Sequence, residues 1–145
     1  MLFGGKKKRR IERLLIVEDE PLVAFDNEHF LRAEGFEIVG TVDSVVDALR
    51  LIREEEDIDL LLVDVSLSDG SGIDVARAAH GRGITVMYVT GNCPGEAKEF
   101  AAGCLSKPYP QRNLLSAIGV IEAVIEGGKV PRKLPGGFAL FSKVA

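Results

Sequence analysis

Short apolar runs alternate along the chain with stretches of helical period. Residues 13–17, 36–39, 59–63, 84–89 and 104–106 read as strands: each is brief, mostly apolar and bounded by polar residues. Between them apolar residues recur every three or four positions. A helix over 21–34 places Leu22, Phe25, His29 and Phe30 near one face and stops at Gly35. A second over 44–56 carries Val45, Ala48, Leu49 and Ile52, with Asp43 as its N-cap. A third covers 72–80, a short one falls within 95–102, and the last, 110–126, carries Leu114, Leu115, Ile118, Ile121 and Ile125.

Five strands and five helices in strict alternation predict right-handed crossovers and a parallel sheet covered on both faces. The expected fold is α/β: a doubly wound, five-stranded parallel sheet with five helices, flavodoxin-like. Ligands in such folds bind at the carboxyl ends of the strands, where the strand order reverses. The predicted organisation is a basic N-terminus over 1–11, one folded domain over 12–126 and a Gly/Pro-rich tail over 127–145. Phe138, Leu140 and Phe141 in that tail either pack back on the core or meet a partner.

Composition narrows the function. A chain of 145 residues with 46% hydrophobic content supports one core. A net charge of −4 points to neither nucleic acid nor an anionic membrane as partner. No apolar run approaches the ~18 residues of a membrane span. The apolar stretch Leu14 to Val17, after the basic residues Lys6 to Arg10, is too short for a secretory signal, so those basic residues read as a solvated end. Cys93 and Cys104 show neither a disulfide framework nor metal-ligand spacing and read as reduced thiols of a cytoplasmic protein. Cys104 by itself reads as a small buried filler rather than a redox switch.

The polar residues at the strand ends carry the chemistry. The first strand ends in Glu18 and Asp19, the third in Asp64, the fourth in Thr90 and the fifth in Lys107. In a parallel sheet these ends share one edge, so the apolar run before Asp64 leads to a polar pocket. Glu18, Asp19 and Asp64 offer oxygen ligands to a hard cation that keeps several waters, which describes Mg²⁺, and the backbone carbonyl of Ser66 completes the protein's share of the shell. A carboxylate nucleophile can form an acyl phosphate, with Lys107 and Thr90 placed to contact phosphoryl oxygens. Asp59 and Asp69 read as solvated acids, and His29 and His80 as ordinary helix residues.

With these residues the chain resembles the receiver domain of two-component response regulators. The resemblance covers about residues 12–126 and rests on the motifs LLIVEDEP, LLVDVSLSDGSGIDVAR, VMYVTGN and CLSKPY. It implies that Asp64 is the phosphoacceptor, loaded from a sensor histidine kinase or a phosphotransferase. It implies that Asp19 holds Mg²⁺ directly and Glu18 through water, that Thr90 and Lys107 contact the phosphoryl group, and that Gly91 leaves room for it. It also implies a cis peptide at Lys107–Pro108. Ser66 and Asn92, two residues past Asp64 and Thr90, flank the path of a hydrolytic water and would tune phosphoryl lifetime.

Three departures stand out. Cys104 occupies the position where receivers commonly carry an aromatic residue, three before the lysine, so the usual coupling of a threonine to a swinging ring cannot operate in that form. Ser68 replaces a familiar proline. Thr90 and Lys107 are closer in sequence than is common, so the fourth helix must be short or loosely formed. With YVTGN, these features resemble the FAT GUY receivers, frequent as single-domain regulators. Kinase partners in that subgroup are often of the HWE or HisKA2 type, and roles include general stress signalling and phosphate-sink behaviour. The expectation is a stand-alone, non-enzymatic receiver that signals by protein binding or drains phosphate. Two alternatives remain. A phosphorylation-independent scaffold would have no use for the acidic pair, and a Mg²⁺-dependent aspartyl phosphohydrolase would be expected to carry an Asp where Pro21 follows Asp19.

Overall fold

A computed structural model describes residues 10–141. The strands and helices are β1 (Arg13–Val17), α1 (Pro21–Ala33), β2 (Glu37–Val42), α2 (Val45–Glu54), β3 (Leu60–Val63), β4 (Ser66–Leu67), β5 (Gly70–Ser71), α3 (Gly72–Gly81), β6 (Thr85–Thr90), β7 (Gly103–Ser106), α4 (Gln111–Ile125) and β8 (Phe138–Leu140). The main sheet runs β2-β1-β3-β6-β7-β8, parallel throughout except for the antiparallel β7–β8 pair. The fold is the expected flavodoxin-like α/β sandwich.

Strand periodicity divides the core in two. Leu14 and Ile16 of β1, Leu60 and Leu62 of β3, and Met87 and Val89 of β6 face Leu31 of α1 and Leu114, Ile118 and Ile121 of α4. The alternate residues Leu15, Val17, Leu61, Val63, Val86 and Tyr88 face Ala48 and Ile52 of α2 and Val75, Ala76 and Ala79 of α3. Because successive strand side chains point to opposite faces, an all-apolar strand is what a sheet covered on both sides requires. The order reverses at β1, which lies between β2 and β3, so a crevice opens at the carboxyl ends of β1 and β3.

Several expectations are corrected. The segment expected to hold the fourth of five helices forms only a 3₁₀ turn, Lys98–Phe100, leaving four α-helices among the described residues. Pro94 and Gly95 interrupt the start of that segment, and the chain must return from β6 to β7 within a few residues. Cys93 and Cys104 are not free thiols: they are joined by a disulfide, with their Cα atoms 6.0 Å apart. The return of the chain into β7 makes neighbours of two cysteines whose spacing suggested nothing. The cap of α2 is Ser44, whose side chain accepts from the Asp47 N–H at 3.1 Å, rather than Asp43. Asp69 is not simply solvated. It accepts from the Val45 and Val46 N–H groups at 2.7 and 3.2 Å, and the Val45 bond holds its carboxyl below the usual range. Asp59 likewise accepts from Glu12 and Arg13 N–H, both at 2.9 Å. On α1, Leu22 and Phe25 are exposed, while Asn27 and Leu31 are buried.

Both ends of the described chain are tied to the domain. Arg10 and Ile11 donate their N–H groups to Glu122 Oε2 at 2.7 and 2.9 Å, and Ile11 is buried in the core. The basic residues Lys6 to Arg9 lie outside the described residues. The C-terminal segment packs back and adds β8 as a sixth strand, with Phe138 in the core. Gly103 makes this possible: a Cβ there would lie 2.7 Å from the Ala139 carbonyl oxygen and 2.8 Å from the Phe138 ring. Among the described residues, no helix is long and apolar enough to cross a membrane.

Gly103→Val should therefore displace β8. The expected readouts are a loss of about 1–3 kcal/mol in a denaturant melt and new protease cleavage in the segment before β8, both absent for a Gly119→Ala control, whose Cβ would meet nothing within 4 Å.

Candidate functional site

Strand ends deliver every group of the site. Glu18 follows β1, and its backbone N–H donates to the Val42 carbonyl at 2.9 Å; Asp64 follows β3, its N–H bonded to the Val17 carbonyl at 3.0 Å. Lys107 follows β7, its N–H bonded to the Thr90 carbonyl at 2.9 Å. The sheet ladder thus runs on one step beyond each strand and sets the three charged side chains side by side. The Lys107–Pro108 peptide is cis, as the resemblance implied.

The Lys107 ammonium is the hub. Its Nζ lies 2.8 Å from Glu18 Oε1, 2.8 Å from Asp64 Oδ2 and 3.2 Å from Glu20 Oε2. Glu18 and Asp64 are buried at 4% and 5% exposure, so their charges need these partners. Asp64 Oδ1 also accepts from the Ser66 N–H at 3.1 Å, and Glu18 Oε2 from the Glu20 N–H at 3.1 Å. The proton affinities follow from these contacts. Burial raises the Glu18 carboxyl, and the hydrogen bond from Lys107 only partly offsets this. Burial would lower the Lys107 ammonium, but its hydrogen bonds to Asp64 and Glu18 outweigh that and raise it above its ordinary value. Lys107 therefore carries its charge across the ordinary pH range.

Around this hub opens a cavity of about 510 Å³, lined by Asp64, Ser66, Thr90, Gly91, Asn92 and Lys107 among others. Thr90 is buried at 3% exposure, and its hydroxyl has no partner among the described residues, so it is free to donate to a group bound beside Asp64. A Cβ on Gly91 would meet nothing within 4 Å, so packing does not demand glycine there. Ser66 and Asn92 are exposed at the cavity wall. Gly72, by contrast, is demanded: a Cβ there would collide with the Asp64 carbonyl, and its N–H bonds Val65 O at 2.7 Å.

The donor set fits a hard cation. Glu18, Asp19, Glu20 and Asp64 each bring a carboxylate oxygen into a group whose atoms all lie within 4.8 Å of one another. All the ligands are oxygens, and the single ammonium contacts three of the four carboxylates. Asp19, half-buried, has no protein partner among the described residues. Such a set suits Mg²⁺ with retained waters.

The structure thus gathers Glu18, Asp19, Asp64, Ser66, Thr90, Gly91, Asn92 and Lys107 at one edge. Cys104 stands apart, fully buried in β7. Sequence reasoning missed Glu20, although it extends the acidic run that begins at Glu18. It also missed Asn27 on α1, which donates to the Tyr109 hydroxyl at 2.8 Å and braces the turn after Lys107. No pattern in the sequence pairs those two residues.

Lys107→Ala should leave Glu18 and Asp64 buried without their counter-charge. We expect a loss of roughly 3 kcal/mol at neutral pH in a denaturant melt. The loss should shrink on acidification, since protonating Glu18, whose carboxyl burial already raises, removes one uncompensated charge. Mg²⁺ should restore more stability to the variant than it adds to the wild type, and equal increments would show that the acids do not share a cation.

Comparison with known proteins gives a consistent result. Residues 14–119 match the family described as the response regulator receiver domain. The transcriptional regulatory protein PdtaR of Mycobacterium tuberculosis is 34% identical over 112 residues, covering 73% of this chain and 54% of that protein. The phyllosphere-induced regulator PhyR of Methylorubrum extorquens is 30% identical over 111 residues, covering 72% of this chain and 41% of its own. The chain therefore spans about half the length of these relatives. Among solved structures, a CheY-like response regulator receiver domain protein from Methanospirillum hungatei aligns with a TM-score of 0.72 at 27% identity, covering 81% of this chain and 98% of that one.

Proposed function

The chain belongs to the response regulator receiver domain family, and from that premise we propose that it accepts a phosphoryl group on Asp64 from a phosphohistidine of a sensor kinase or phosphotransferase. The observation that carries this reading is the Lys107 ammonium 2.8 Å from a buried Asp64 carboxylate that opens on a cavity walled by Thr90. An Asp64 oxygen attacks phosphorus, the O–P bond forms, the P–N bond breaks, and the imidazole leaves with its electron pair and takes up a proton. Lys107, already paired with Asp64 Oδ2, is placed to transfer its charge to a phosphoryl oxygen, and the Thr90 hydroxyl to donate to another. Glu18, Asp19, Asp64 and the Ser66 carbonyl would hold Mg²⁺. When bound, that ion neutralises developing phosphoryl charge.

The finer reading is a cytoplasmic receiver acting without an output domain, loaded by a kinase of HWE or HisKA2 type, possessing at most self-phosphorylation and autodephosphorylation. It would signal by protein binding or drain phosphate, in general stress signalling. Its support is the FAT GUY-like set of departures: YVTGN at the end of the fourth predicted strand, the truncated segment before Lys107 and the non-aromatic residue at Cys104. The likeness to PhyR at 30% identity supports the subgroup alone.

Intact mass after incubation with Mg²⁺ and phosphoramidate is the direct test. Wild type should gain one phosphoryl group, and neither Asp64→Asn nor metal-free wild type should gain any. A wild type that stays unmodified would turn the reading toward a phosphorylation-independent scaffold. If Ser66 and Asn92 flank the hydrolytic water, replacing both with alanine should change the dephosphorylation rate about tenfold, a shift of ~1.4 kcal/mol in the barrier. An unchanged rate removes that role.

A further inference from the structure

Residues 91–102 leave the site as a loop and return as β7; the Ala102 N–H donates to the Val86 carbonyl of β6 at 2.8 Å at the end of the loop, and two further ties hold its body on the sheet. Tyr88, fully buried in β6, donates its phenol to the Ala97 carbonyl at 3.0 Å. The second tie is the Cys93–Cys104 disulfide. Its position sets it apart from a general staple. Cys93 lies three residues after Thr90 and directly after Gly91 and Asn92, which wall the Asp64 cavity. Cys104 lies three residues before Lys107, in register with Tyr88 on one side and Ala139 of β8 on the other. Cys93 Sγ also lies 3.4 Å from the hydroxyl of Ser106, the residue next to Lys107. One covalent bond therefore joins the wall of the cavity to the strand that delivers its ammonium.

We propose that Cys93–Cys104 is a reversible thiol–disulfide site that gates phosphoryl loading on Asp64, slow when bridged and faster as the dithiol. This rests on the reading of Asp64 as phosphoacceptor. Loading requires Lys107 to exchange part of its contact with Glu18 and Asp64 for a phosphoryl oxygen, and requires the Gly91–Asn92 wall to close around the newcomer. The bridge restrains both segments at once, because it ties Cys93, the residue after Asn92, to Cys104 on the strand that leads into Lys107.

The two sulfurs differ in access. Cys104 is fully buried, whereas Cys93 is half-buried on the loop. A dithiol reductant therefore attacks at Cys93. Its thiolate forms a mixed disulfide with Cys93, and Cys104 leaves as a thiolate and takes up a proton. The second thiol of the reductant then displaces Cys93, which is also protonated. The protein gains two electrons and two protons, and the reductant becomes a disulfide. A low-molecular-weight disulfide reverses the exchange.

The test uses the full chain, oxidised with glutathione disulfide or reduced with dithiothreitol, with thiols counted by alkylation. Phosphoryl gain from phosphoramidate and Mg²⁺ is followed by intact mass. Reduced wild type should load roughly threefold faster or more than oxidised wild type, and Cys93→Ser should load at the reduced rate under both conditions. Amide exchange at Gly91 and Asn92 should also quicken on reduction, by a similar factor. Equal loading rates in the two states, or failure of the bridge to form under glutathione disulfide, would overturn the proposal. If neither state takes up phosphate, the receiver reading and the gating fall together. Exchange that still responds to reduction would then show only that the bridge stiffens the loop.

Discussion

A single ammonium placed between buried carboxylates is the constraint on which the site depends. Glu18, Asp64 and Lys107 arrive from three different strands, and none tolerates its position alone. Two unit charges 4 Å apart attract by ~4 kcal/mol at an effective dielectric of about 20. Desolvating each charge costs several kcal/mol, so such a cluster does not stabilise the fold by itself. The apolar cores on both sheet faces must carry that cost. The site is thus held in a state where charge is balanced but poised: any group that brings new anionic or cationic charge redistributes the contacts of Lys107.

The sheet makes this balance possible because it is rigid where the site is not. Leu14 to Val17, Leu60 to Val63 and Val86 to Val89 are buried on both faces, and their ladders continue one residue further into Glu18, Asp64 and, through β7, Lys107. The side chains that follow are therefore positioned by backbone hydrogen bonds rather than by mobile loops. Gly72 adds to this precision, since α3 starts directly against the Asp64 carbonyl.

The far half of the site is organised differently. Between Thr90 and β7 the chain has no α-helix; a 3₁₀ turn, a disulfide, the Tyr88–Ala97 hydrogen bond and the backbone bonds of Ala102 to Val86 and Phe141 hold it instead. The edge that β7 would present is covered by β8. An uncovered edge strand offers unpaired N–H and C=O groups to other chains, and Gly103 lets the C-terminal segment close it. The residues after α4 are thus part of the domain's architecture.

What the sequence by itself determined was whatever depends on local periodicity. β1 lies where its apolar run predicted, the other parallel strands shift by a residue or two or, for β2, extend three residues further, and Glu18, Asp19, Asp64, Thr90 and Lys107 follow from where the strands end. Tertiary structure decided what depends on contacts between distant segments. The pairing of Cys93 with Cys104, the capture of Asp59 and Asp69 by backbone N–H groups, the bracing of Tyr109 by Asn27 and the docking of β8 leave no periodic trace. α1 shows the same limit: its pattern marks Leu22 and Phe25 as a face, yet they are exposed while Asn27 is buried. Periodicity reports that a residue shares a side of an element. Which side is covered, and by what, is fixed only when the other segments of the chain have packed against it.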